Sequence, residues 1–152
     1  MDRILVVAEP SESGVALVEE AGRVAAETDA GVVVLAPVVE GEEDEWLDAI
    51  RETTDLADER EPSSPVGDLA RRFADSLGSD VLAPLGVEYL AIGDHVETNR
   101  PSAEIMGVAE NHACDYIYLL THRRSPTGKA IFGDTVQSVI LNFDGYVTVT
   151  TR

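Results

Sequence analysis

The sequence predicts an α/β protein: a doubly wound, mainly parallel five-stranded sheet with helices on both faces. Three observations point there. Five short apolar runs of strand length are separated by segments whose apolar residues recur at helical spacing. Strand and helix alternate along the chain, and parallel neighbours need such crossovers. The first two runs are apolar throughout, as in strands covered on both sides, instead of alternating.

RILVVA (3–8) reads as the first strand, stopped by Pro10. From Glu12 to Thr28 the period becomes helical, with Leu17, Ala21, Val24 and Thr28 on one face and Ser11 placed to cap it. Gly31 opens the second strand, VVVLAPVVE. Residues 40–61 carry 11 acids in 22 positions, and Trp46, Ile50, Thr53 and Ala57 give them a weak stripe. The expectation is an exposed acidic helix packed through Trp46, a metal site or docking surface being the sharper alternative. PSSP (62–65) is a break, and Leu69, Phe73 and Leu77 mark an amphipathic helix over 66–78. VEYLAIGD (87–94) is the third strand. Pro101 suits the first turn of a helix facing inward through Ile105, Met106, Ala109 and Ala113. YIYLLT (116–121) is the fourth strand; Asp134 or Thr135 caps a short helix with Val136, Val139 and Ile140 inward; YVTVT (146–150) is the last strand.

At 152 residues the chain fits a single domain, 1–152, with the acidic stretch at about 40–61 as an insert. No apolar run approaches the ~18–20 residues of a membrane span, and the N-terminus lacks signal-peptide features, so a cytoplasmic location is expected. The 29 acids against 11 basic residues give a net charge of −18, with Lys129 the sole lysine. Such a surface repels nucleic acid and anionic membranes. It suits a salt-rich cytosol, where screening shortens to ~3 Å at 1 M, and so a halophilic source. Cys114 precludes an internal disulfide and reads as a small core residue.

ILVVAEPSESG, GVVVLAPVV, LLTHRRSPTGKAIFGDTVQSVIL and YVTVT together resemble the universal stress protein family over nearly the whole chain, the acidic insert excepted. The resemblance implies a doubly wound sheet, a dimer formed through the terminal strand and, in nucleotide-binding members, G-x2-G-x9-G-[ST] after the fourth strand with an Asp ending the first. With Gly133 as the third glycine, Arg123 falls at the second and Leu120 at the first. Asp134 takes the Ser/Thr position, Thr135 comes one residue late, and Glu9 stands for the Asp. RRSPTGK resembles the loop of members whose nucleotide binding is not assured.

Glycines let a phosphate approach the backbone; Leu120 and Arg123 bring side chains to those points. Asp134 adds a carboxylate where helix amides would meet the anion. Two like charges ~4 Å apart repel by about 4 kcal/mol at an effective dielectric of 20 and by about 1 in water. His122, Arg123, Arg124 and Lys129 pull the other way, and could hold an anion by side chains alone. A P-loop is excluded twice, by Arg123 at its first glycine and Ala130 at its hydroxyl. Neither SESG nor the Asp94–His95 pair makes a catalytic constellation.

The expected function is therefore a non-enzymatic stress-response protein. It acts as a homodimer through 146–150 and through an unidentified protein partner, with nucleotide binding lost or weakened and no cofactor required. The alternative is an ATP- or AMP-binding member with slow or no hydrolysis, using Ala8, Glu9 and Val39 near the base and His122, Arg123, Gly133, Asp134 and Thr135 near the phosphates. A small-anion sensor using the basic loop is a third reading.

Overall fold

β1 (Arg3–Val7) becomes the middle strand of the sheet, because its residues are apolar on both sides and both of its edges are paired. The computed structural model describes residues 3–55, 65–97, 101–121 and 133–151, together with the backbone of 123–124 and 130–131. α1 (Glu12–Thr28) follows, with Ser11 at its N-cap: the Ser11 hydroxyl accepts from the Gly14 N–H at 3.0 Å. β2 (Gly31–Val39) pairs parallel to β1, with Arg3 opposite Gly31 and Val7 opposite Leu35.

α2 (Glu43–Thr53) is shorter than the acidic stretch suggests. Trp46 and Ile50 are buried and Thr53 half-buried, as expected; Ala57 and the break at 62–64 lie outside the described residues. α3 (Val66–Leu77) buries Leu69, Phe73 and Leu77, and it continues into a π-helical turn (Gly78–Leu82) and a 3-10 turn (Ala83–Leu85) that the periodicity does not announce. β3 (Tyr89–Val96) starts two residues later and ends two residues further on than VEYLAIGD, since its ladder with β2 continues through Val39 opposite Val96.

α4 (Pro101–Asn111) ends before Ala113, which is exposed at φ 55°. The expected inward face thus stops at Ala109, because the chain turns there to deliver Cys114 to the core and Asp115 to β4 (Tyr116–Leu120). A two-residue antiparallel pair follows, β5 (Arg123–Arg124) with β6 (Ala130–Ile131), where the sequence suggests only loop. α5 (Asp134–Asn142) buries Val136 and Val139, but Ile140 is largely exposed: α5 packs chiefly on α4, and that contact covers only a narrow stripe. β7 (Tyr146–Thr150) pairs parallel to β4.

The strand order is β3-β2-β1-β4-β7, all parallel. Alternation divides the core. Ile4, Val6, Val32, Val34 and Leu120 pack with α1, α2 and α3, whereas Leu5, Val33, Ile117 and Leu119 pack with α4 and α5. The chain reverses direction of winding between β1 and β4, and a crevice opens there beyond the strands' carboxyl ends.

Candidate functional site

That crevice is a cleft of about 1030 Å³, within the size range of small-molecule sites. Its floor is the last residues of three strands: Val7 of β1, Val39 of β2, and Leu119 and Leu120 of β4. Glu9, Pro10 and Ser11 bridge from β1 to α1 along one side. The first turns of α4 (Pro101, Ser102) and α5 (Gly133 to Val136) close the far side. α2 forms the remaining wall through Glu42, Glu45, Trp46 and Ala49.

Local chemistry fixes each wall. The α1 N-terminus sits hard against the strand end: a Cβ at Gly14 would collide with the Glu9 carbonyl oxygen. Only glycine permits that approach, and it holds the Glu9 backbone at the cleft's edge. Ser11 N–H also donates to Glu9 O at 2.9 Å. α2 is tied to β3 by His95 Nε2 and Glu43 Oε2, 2.8 Å apart, while the Gly41 N–H donates to Glu43 Oε1 at 2.8 Å. Hydrogen bonds from its own backbone N–H, from His95 and from Gly41 hold the Glu43 carboxyl below the usual carboxylate range. Thr53 Oγ1 donates to Pro10 O at 3.1 Å and anchors the other end of α2 beside the cleft.

At α5 the N-cap is Gly133, with extended φ −69° and ψ 168°, instead of Asp134 or Thr135. The extended backbone at Gly133 starts the helix one residue early, so Asp134 becomes its first helical residue. Its exposed carboxylate adds charge to the helix start without serving as the cap, and no side chain caps α5 from Gly133. Gly133 itself is at negative φ, and a Cβ there meets no atom of the described residues within 4 Å, so the fold does not demand glycine at this point.

Of the expected site residues, Glu9, Val39, Gly133, Asp134 and Thr135 all line the one cleft. Ala8 does not: it is buried, and its N–H donates to Leu35 O at 2.7 Å. Arg123 is placed by its backbone in β5, opposite Ile131; His122, Ser125, Gly128 and Lys129 lie outside the described residues. Leu120, at the position of the first family glycine, is a buried core residue that also lines the cleft. The sequence reading did not count Thr121, at the carboxyl end of the fourth strand and buried on the cleft wall, among the site residues, and it gave Trp46 a packing role. Trp46 carries the signal that could have found it: the chain's single tryptophan stands within the one stretch foreign to the family pattern.

Four acidic residues, Glu9, Glu42, Glu45 and Asp134, are therefore among the cleft's lining, and no described lysine or arginine is. Among the described residues no group of three or more His, Cys, Asp or Glu is gathered as for a metal ion. Away from the cleft, burial pushes the Cys114 thiol up to about 11, so it remains protonated at neutral pH. Among the described residues no helix is long and apolar enough to cross a membrane.

A parallel doubly wound sheet with a cleft at its switch point defines a class of small-molecule-binding α/β folds. The universal stress protein family model matches residues 1–151, and the chain belongs to that family. No curated protein matches it in sequence. Among solved structures it is similar to a universal stress protein from Archaeoglobus fulgidus, at 21% identity and TM-score 0.62, covering 98% of this chain and 97% of that one. It is similar to the hypothetical protein MJ0577 at 19% identity and TM-score 0.67, covering 99% and 95%. A third is the universal stress protein from Archaeoglobus fulgidus in complex with dAMP, at 18% identity and TM-score 0.56, covering 98% and 96%.

Proposed function

We propose that the protein is a non-enzymatic universal stress protein that works as a homodimer and through a protein partner, with nucleotide binding weakened at its phosphate end. The whole chain acts as one domain, its acidic insert serving as a wall of the cleft. The observation that carries this reading is the acidic lining of the cleft, which includes Glu9, Glu42, Glu45 and Asp134. A structural neighbour is described with dAMP bound, and the switch-point cleft is the natural place for a nucleotide here. The phosphate end departs from the family pattern, however. Leu120 fills its first glycine position, and the backbone at Arg123 belongs to an antiparallel pair instead of a glycine loop.

Dimerisation rests on β7, which is an edge of the sheet and carries Tyr146 at 66% exposure. An edge with unpaired backbone groups accepts a second strand. Leu141, also highly exposed on α5, adds apolar surface on the element that precedes this edge.

Titration with Mg-ATP in high salt tests the reading. The expected result is binding weaker than millimolar for wild type. Micromolar binding that disappears in Gly133→Val would overturn it; among the described residues no atom lies within 4 Å of a Cβ built at Gly133.

A further inference from the structure

We propose that α2 is a lid on the cleft, swinging about Gly41 as a unit and held shut by a side-chain hydrogen bond at each of its ends. The proposal concerns access to the cleft and does not depend on which molecule enters it.

α2 differs from its neighbour on the same face of the sheet in how little apolar surface fastens it. α3 buries Val66, Leu69, Ala70, Phe73, Ala74 and Leu77 over 12 residues, whereas α2 buries only Trp46 and Ile50 over 11. Apolar burial is the main force that holds a helix on a sheet, so α2 is the weaker attachment of the two. It walls the cleft through Glu42, Glu45, Trp46 and Ala49, and its displacement widens the entrance.

Polar ties sit at the two ends of the helix. At its first residue, Glu43 Oε2 lies 2.8 Å from His95 Nε2 of β3. These side chains are 33% and 45% exposed, so water readily replaces the bond between them. At its last residue, the half-buried Thr53 hydroxyl donates to Pro10 O at 3.1 Å.

The turn into α2 suits a hinge. The β2–β3 ladder closes with Glu40 N–H donating to Val96 O at 2.7 Å, and Gly41 follows at φ 94°, a conformation that favours glycine. A Cβ built at Gly41 meets no atom of the described residues within 4 Å. The Gly41 N–H donates to Glu43 Oε1 at 2.8 Å, so hinge and latch share one carboxylate.

The closed position also carries a cost. The Trp46 Nε1–H is buried without a hydrogen-bond partner among the described residues. Opening returns that donor to water and recovers part of what exposing the ring loses.

Native-state hydrogen exchange on the whole chain in high salt tests the lid. In the wild type the α2 amides are expected to exchange together and faster than those of α3. His95→Ala and Thr53→Val are each expected to speed α2 exchange about fivefold, the worth of one partly exposed hydrogen bond, with α3 unchanged. Trp46, the only tryptophan, reports the same opening through acrylamide quenching, which rises in both variants. Asp48→Ala, which removes a carboxylate paired with Arg51 of the same helix, is expected to change neither readout. The two variants act at opposite ends of α2, so either suffices where the other fails to fold by circular dichroism. Wild-type α2 amides that exchange no faster than those of α3 overturn the lid, since the helix then leaves the sheet only on global unfolding. Equal acceleration of α2 and α3 overturns it as well, because the ties then serve overall stability. Unchanged α2 exchange in the folded variants removes the latches and the proposal with them.

Discussion

Gly14 shows how much one methyl group can decide. A Cβ built on Gly14 would collide with the Glu9 carbonyl oxygen, so Gly14→Ala must push α1 off the end of β1. The expected cost is about 1–3 kcal/mol, read as a lowered denaturation midpoint with unchanged slope. Gly93 plays the same part on the other side, where a Cβ would run into the α3 backbone at Gly67 and Arg71. Titrating side chains act with opposite signs. The Glu43 carboxyl is held below its ordinary value, so its contribution is present above the unfolded pKa and is lost as pH falls through the lowered one. The Glu104 carboxyl is raised, first by its hydrogen bond with Asp94 and then by burial and by the Asp94 charge. Its contribution is present below the unfolded value and is lost as pH rises through the folded one. Glu104→Gln is therefore expected to stabilise the protein at pH 7 by less than about 1 kcal/mol, because the pair is partly solvated. The gain should vanish below pH 4.5, the ordinary value for the group. Denaturant melts at pH 7 and pH 4 check both the sign and its disappearance. Neither effect was legible in the sequence, because it depends on β3 carrying Asp94 to the first turn of α4.

At the scale of elements, the helices and strands with strong periodicity were readable. α1 spans the expected residues and begins at the expected cap, since Ser11 and the 17 residues after it agree at every level. α5 was less readable. Asp134 and Thr135 are both good caps by type, but the extended backbone at Gly133 starts the helix one residue sooner. The π-helical turn after α3 leaves no sequence signature, and it packs Gly78 against the Tyr89 ring. β7 carries the element-scale prediction. Tyr146 N–H bonds to Asp115 O on the β4 side, so alternation turns the Val147 and Val149 amides toward the open edge. Val149→Pro removes one such donor. Dimer affinity should fall at least tenfold in sedimentation equilibrium, with circular dichroism unchanged; a wild-type chain that stays monomeric at high concentration would refute dimerisation through this strand. Tyr116 and Tyr146, opposite in register and stacked at 4.9 Å, brace the strand independently of a partner.

For the whole molecule the dominant quantity is a charge of −18 on 152 residues. Described ion pairs such as Arg23–Glu20 and Arg51–Asp48 are exposed and local, and do little against that total. The melting temperature is expected to rise steeply as KCl is added from low ionic strength to molar concentrations, since salt screens the self-repulsion. A melting temperature independent of salt would remove the case for a halophilic surface.

The sequence by itself determined the order of strands and helices, the acidic surface and the family to which the chain belongs. It also supplied Glu9, Val39, Gly133, Asp134 and Thr135 of the cleft lining, because strand ends in a doubly wound sheet face one crevice. Tertiary structure alone decided that α2 would wall this crevice, bringing Glu42, Glu45 and Trp46 to the same cleft as Glu9 and Asp134. Those residues come from opposite ends of the chain, and only the strand order that sets β1 between β2 and β4 makes them neighbours. Local periodicity describes a segment's own faces; which charges share a cavity depends on long-range packing.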